Sequence, residues 1–181
     1  MLPWPIKQPE HRIAASDAFT LNLLMTNFVS TTSNIVFSRA VYERTGGMRN
    51  LRFVHDWDFL LRAARHFKCE LIERPLLQYR THRTNTISSN RAWMLFEICW
   101  IYSVHLKRLT RQIFPHSTRG NGISDEINFL AHSINLQGND KVMWMLLRYF
   151  EEREKRGEAL PEVTLIDDED LRSEFIHHIT A

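Results

Sequence analysis

Two carboxylates stand two residues apart in His55-Asp56-Trp57-Asp58, and Arg80, His82 and Arg83 form a cationic group further along the chain. A rival reading of Asp56-Trp57-Asp58 as a cation-binding D-x-D pair is set aside because a helical pattern begins there at once, while guanidinium and imidazole groups gathered just past a strand suit a diphosphate with its metal. Plainer readings stand beside these. Asp56 lies where a helical pattern begins, aspartate is among the best helix N-caps, and the helix dipole favours its charge there without any catalytic duty. Gly46-Gly47 follows a helical stretch and fits a helix C-cap. Trp57 sits on the apolar stripe of its helix, which suits a core residue.

The elements that must position these groups belong to a folded chain. Of 181 residues, 44% are hydrophobic and 24% charged, which excludes disorder as the main state. With 6 Gly and 6 Pro the turn density is too low for a small all-β protein. A formal charge of +2 is too even for a dedicated nucleic-acid binder, although 18 of the 23 basic residues are Arg, whose planar fork suits carboxylates and phosphates. Cys69 and Cys99 both lie in apolar runs, which points to core roles in a reducing compartment, and the expected location is cytoplasmic. Met1 to Pro5 lacks the pattern of a secretory signal. The most apolar stretch, 92–106, contains Glu97 and His105 and is shorter than the roughly 20 residues a membrane span needs.

Residues 1–16 read as an extended, Pro-rich lead-in. A helix from Ser16-Asp17 carries Phe19, Leu23 and Leu24; Asn34 to Phe37 reads as a buried strand; and Ser38 caps a helix over 39–45 that ends at Gly46-Gly47. Leu51 to Val54 is a candidate extended segment. Asp56 opens a helix carrying Trp57, Leu60, Leu61, Ala64 and Phe67, followed by strands over 69–73 and 76–80 around Pro75. Residues 91–113 form a helix apolar almost all round, which requires burial on several sides, a contact with a second copy, or a lipid surface. Further helices are expected after Ser124, from Asn139 or Asp140 to near Gly157, and over 171–179 behind the acidic run 167–170.

The ordered set Thr32-Ser33-Asn34-Ile35-Val36-Phe37-Ser38-Arg39, Gly46-Gly47-Met48, His55-Asp56-Trp57-Asp58-Phe59-Leu60-Leu61-Arg62 and Pro75-Leu76-Leu77-Gln78-Tyr79-Arg80-Thr81-His82 resembles the second half of glycosyltransferase family 2 enzymes. The resemblance implies an α/β fold: a partial GT-A core over residues 16–90, the acceptor and catalytic half, with a mainly helical extension over 91–181. It implies transfer of a sugar from a nucleotide-diphosphate donor to an acceptor hydroxyl by an inverting displacement. Such a reaction needs a base for the hydroxyl proton, a cation for the leaving diphosphate and an in-line geometry.

By the same resemblance Asp56 is the catalytic base, and His55 stands where the family commonly has Glu. Gly46 and Gly47 correspond to the flexible loop next to the donor sugar, where backbone approaches closely. Arg80 falls on the donor diphosphate, and Trp57 and Asp58 on an acceptor sugar. His82 matches the histidine that completes a divalent metal site, Mn or Mg, in the complete enzyme.

The nucleotide-binding half of such a domain, with its own D-x-D, is expected before residue 16 and does not occur there. Three classes stay open on the sequence: the catalytic half of a transferase working with the missing half-domain, a non-catalytic relative kept for binding, and a helical interaction module. The implied partners are a nucleotide-sugar and a sugar or lipid-linked acceptor, with no nucleic acid. Residues 91–113 are the candidate surface for a second copy or for peripheral contact with the inner face of a membrane.

Overall fold

A computed structural model describes residues 18–72, 74–78, 90–113 and 135–180. Among these, every regular element is helical: α1 (Ala18–Met25), a 3-10 turn (Thr32–Asn34), α2 (Arg39–Thr45), α3 (His55–Ala63), α4 (Arg91–Ile113), α5 (Asp140–Lys155), α6 (Pro161–Asp167) and α7 (Glu169–His177). The expected α/β core, a partial GT-A sheet, is therefore corrected: no strand occurs among the described residues. The segments 34–37, 69–72 and 76–78 have the composition of strands but not the pairing. Ile35 is extended (φ −109°, ψ 128°), yet its N–H turns back to Thr32 O at 3.1 Å, and Arg74 N–H closes a local turn on Ile72 O. A strand depends on a neighbour for its backbone bonds and its packing. Here the side chains meant for that packing lie open, with Val36 98% exposed and Leu76 69%.

The described residues fall into two compact units, 18–48 with 56–72 and 74–78, and 49–55 with 90–113 and 135–180. In the first, α1 buries Leu23 and Leu24, and α3 buries Trp57, Phe59, Leu60, Leu61 and Ala63. The indole Nε1–H of Trp57 donates to Leu23 O at 2.7 Å, fixing α3 to α1. Phe37, Tyr42 and Phe59 form an aromatic group with centroids 4.7 to 6.1 Å apart. Ser38 begins α2 as expected, its Oγ accepting Val41 N–H at 3.4 Å.

The second unit is built on α4, whose boundaries match the expectation. Between 95 and 104, Leu95, Phe96, Cys99, Trp100, Ile101, Tyr102 and Val104 are buried, chiefly against α5 with its Val142, Met143, Leu146 and Phe150. Ser103 Oγ lies 2.8 Å from Cys99 O and 3.0 Å from Met143 O, stitching the two helices. Pro161 sits in the first turn of α6, where a missing N–H does no harm. Asp168 caps α7 by accepting Leu171 N–H at 2.9 Å, so the acidic run acts at a helix start as its charge suggests. The chain end is held by Asn139, which exchanges two hydrogen bonds with the Thr180 backbone (2.8 and 3.1 Å). The expected helix after Ser124 lies outside the described residues.

Candidate functional site

In the first unit Asp56, Trp57 and Asp58 stand in the first turn of α3, while Gly46-Gly47 is tied to Arg62 in its last turn. Asp56 is only 5% exposed. Its Oδ1 accepts the N–H of Trp57 at 2.7 Å, and its Oδ2 accepts the hydroxyl of Thr32 at 3.4 Å. Thr32 comes from the turn ahead of α2, so the contact spans 24 positions of sequence. The carboxylate is thus oriented from two sides, by its own helix and by a hydroxyl from a distant turn.

The glycine loop adjoins the same helix through Arg62. Tyr42 O accepts Gly47 N–H at 2.9 Å and Glu43 O accepts Gly46 N–H at 3.2 Å, the paired bonds of a Schellman close. Both glycines have positive φ, +75° and +73°. Their surroundings differ. A Cβ on Gly47 would meet the Tyr42 ring at 3.0 Å, whereas nothing lies within 4 Å of one on Gly46. The helix-cap role of the pair is therefore present in full, and only Gly46 also offers open space.

Asp58 is fully enclosed and salt-bridged to Arg62, with Oδ2 2.9 Å from both Nε and Nη2. Trp57 is 5% exposed, its ring within the core and its N–H on Leu23 O. The two residues assigned by resemblance to an acceptor sugar are thus both used in packing this unit. Asp56 and Asp58 also sit two apart on a helix, where side chains do not face each other, so the literal D-x-D string does not make a chelating pair. Among the described residues no group of three or more His, Cys, Asp or Glu side chains is placed to hold a metal ion, and no divalent site is derived from them. Arg80 and His82 lie outside the described residues.

Three residues of consequence were not among the candidates. Arg62 had a legible signal, since Asp58 and Arg62 at i and i+4 on a helix form a favourable ion pair. Thr32 opens the ordered pattern, but nothing local names its partner, which is remote in sequence. Glu97 was visible only as a charge inside an apolar run; in the second unit it is 1% exposed and takes the backbone N–H groups of Arg52, Phe53 and Val54 at 2.7 to 3.2 Å. Burial pushes its carboxyl above the usual range while these three donors pull it back.

Among the described residues no helix is long and apolar enough to cross a membrane. No family model matches the chain, and no curated protein or solved structure matches it either.

Proposed function

We propose that Asp56 is the general base of a sugar transfer from a nucleotide-diphosphate donor to an acceptor hydroxyl, with the glycine loop beside the donor. The observation that carries the reading is the hydrogen bond from Thr32 to Asp56 Oδ2, which joins the first and third members of the ordered sequence pattern in space. In the proposed step the acceptor O–H gives its proton to the Asp56 carboxylate as its oxygen bonds the anomeric carbon, and the bond to the diphosphate breaks with its electron pair leaving on the phosphate. A carboxylate held by two donors and nearly enclosed is oriented before substrate arrives, which is what a positioned base requires. Asp58 and Trp57, used internally, have structural roles in this reading, and Arg80 and His82 remain the proposed diphosphate contacts.

The test is transfer from a panel of nucleotide-sugars to oligosaccharide and lipid-linked acceptors by the complete enzyme, this chain together with its nucleotide-binding half-domain, since the chain alone is expected to be inactive. Asp56→Asn should lower the rate by roughly a hundred- to ten-thousandfold, the usual worth of a general base. Near-normal turnover in that variant would reduce Asp56 to a structural residue of the first turn of α3, where it lies one position inside the helix and is not its N-cap.

A second reading, a helical interaction module without catalysis, is favoured by the exclusively helical elements of the described residues. Nucleotide-sugar binding separates the two, because only the transferase requires it.

A further inference from the structure

We infer that Arg62, anchored by Asp58, is the positioning residue that sets the glycine loop for its ligand; this rests on the donor-loop reading proposed above. The guanidinium is almost buried, and each of its nitrogens has a partner. Nε and Nη2 meet Asp58 Oδ2 at 2.9 Å, Nη2 also donates to Gly47 O at 2.7 Å, and Nη1 donates to Thr45 O. Thr45 and Gly47 are the residues on either side of Gly46. With both flanking carbonyls drawn inward, Gly46 becomes the apex of the loop, exposed and with open space where a side chain would be.

The two glycines therefore do different work. Gly47 is buried against the Tyr42 ring and keeps the loop closed, while Gly46 presents bare backbone outward. A donor sugar or diphosphate approaching this loop meets the Gly46 face. Only a planar fork reaches two carbonyls and a carboxylate together; an ammonium on a flexible stem satisfies them one at a time. Asp58 supplies the charge that keeps the guanidinium buried, since an unpaired buried cation would be strongly disfavoured.

The experiment follows backbone amides by NMR in the wild-type chain and in Arg62→Lys, with and without UDP-glucose, GDP-mannose and dTDP-glucose. In the wild type, one of these should shift the Gly46 amide. Arg62→Lys should weaken that titration about tenfold or more, as expected for lost charge-assisted hydrogen bonds, and speed exchange of the Gly46 and Gly47 amides while the α3 amides keep their protection. Wild-type binding retained at full strength in Arg62→Lys would overturn the positioning role alone. Absence of any Gly46 shift in the wild type would overturn the donor-loop reading, and the inference with it. Should Arg62→Lys fail to fold, Asp58→Asn removes the anchor and is held to the same two readouts.

Discussion

Glu97 Oε2 accepts the backbone N–H of Phe53 at 2.7 Å across 44 positions of sequence. The same carboxylate takes Arg52 N–H on Oε1 at 2.8 Å and Val54 N–H at 3.2 Å, so one enclosed anion serves three consecutive amides of an irregular segment. This is the side-chain counterpart of an anion in a backbone nest. It also explains why 51–54, read as extended, is not a strand: its donors face a carboxylate instead of a neighbouring chain.

Removing that acceptor should be among the most damaging single changes in the second unit. Glu97→Ala leaves three backbone donors without their partner, two of them part-buried, at a cost of about 3 kcal/mol or more. Glu97→Gln retains one carbonyl oxygen but turns an N–H₂ toward amide donors, and should fall between wild type and Ala. Urea unfolding measures both, and a loss under 1 kcal/mol in Glu97→Ala would contradict the clamp.

The pH dependence has a definite sign. Burial raises the Glu97 carboxyl above its unfolded value, so the folded state holds the proton more tightly than the unfolded state does. The stability linked to this group is then fully present below the ordinary carboxylate value and is lost as pH rises through the raised one. The difference in Tm between wild type and Glu97→Gln should move in favour of wild type as pH is lowered from about 7 to about 4. A difference that is flat, or that moves the other way, would show that the three N–H donors outweigh desolvation.

Gly46→Ala and Gly47→Ala test the asymmetry of the loop. Each forces a side chain into positive φ, which costs roughly 1 kcal/mol. Gly47→Ala additionally drives a methyl against Tyr42, 3.0 Å away, and should be the more destabilising. In a Tyr42→Ala background that excess should vanish while the shared cost remains, and thermal unfolding of the four variants closes the cycle.

What was legible in the sequence followed from local chemistry. Ser38, the double glycine, the apolar run 91–113 and the acidic run before α7 each announce a helix or its end through nearest neighbours, and the structure places helices there. The strands failed because pairing is not a local property: Val36, Ile72 and Leu76 have the residue types of a sheet, but no described segment supplies the ladder. The short α6 went unread although Pro161 marks its first turn. At the site, Asp56 and the glycines were visible as types and spacing. Their fastening by Thr32 and Arg62 was less so, since only the i, i+4 relation of Asp58 to Arg62 is written in sequence.

The two thiols should differ sharply in reactivity. Cys99 is fully buried and its thiol is pushed up to about 12, mainly by burial with Asp140 adding to it. Cys69 is partly exposed and is raised by burial alone. Since the thiolate is the reactive form, a disulfide reagent near neutral pH should modify Cys69 first and reach Cys99 only on unfolding. Equal rates in the native chain would show that α4 opens against α5 on the timescale of the reaction.

Trp57 separates packing from ligand contact. Its indole N–H bonds Leu23 O at 2.7 Å in a buried setting, so Trp57→Phe leaves that carbonyl without this donor and also removes ring volume from the core. The lost hydrogen bond and the unsatisfied carbonyl together should cost about 1 to 3 kcal/mol. An acceptor platform behaves differently, because its ring faces a sugar and not the core, and a smaller phenyl ring without the indole N–H would then leave stability nearly unchanged while weakening saccharide affinity. Measured side by side, Trp57→Phe should lower the unfolding midpoint and leave oligosaccharide titrations of the folded chain unaltered. A variant as stable as wild type but weaker toward saccharides would return Trp57 to the acceptor site.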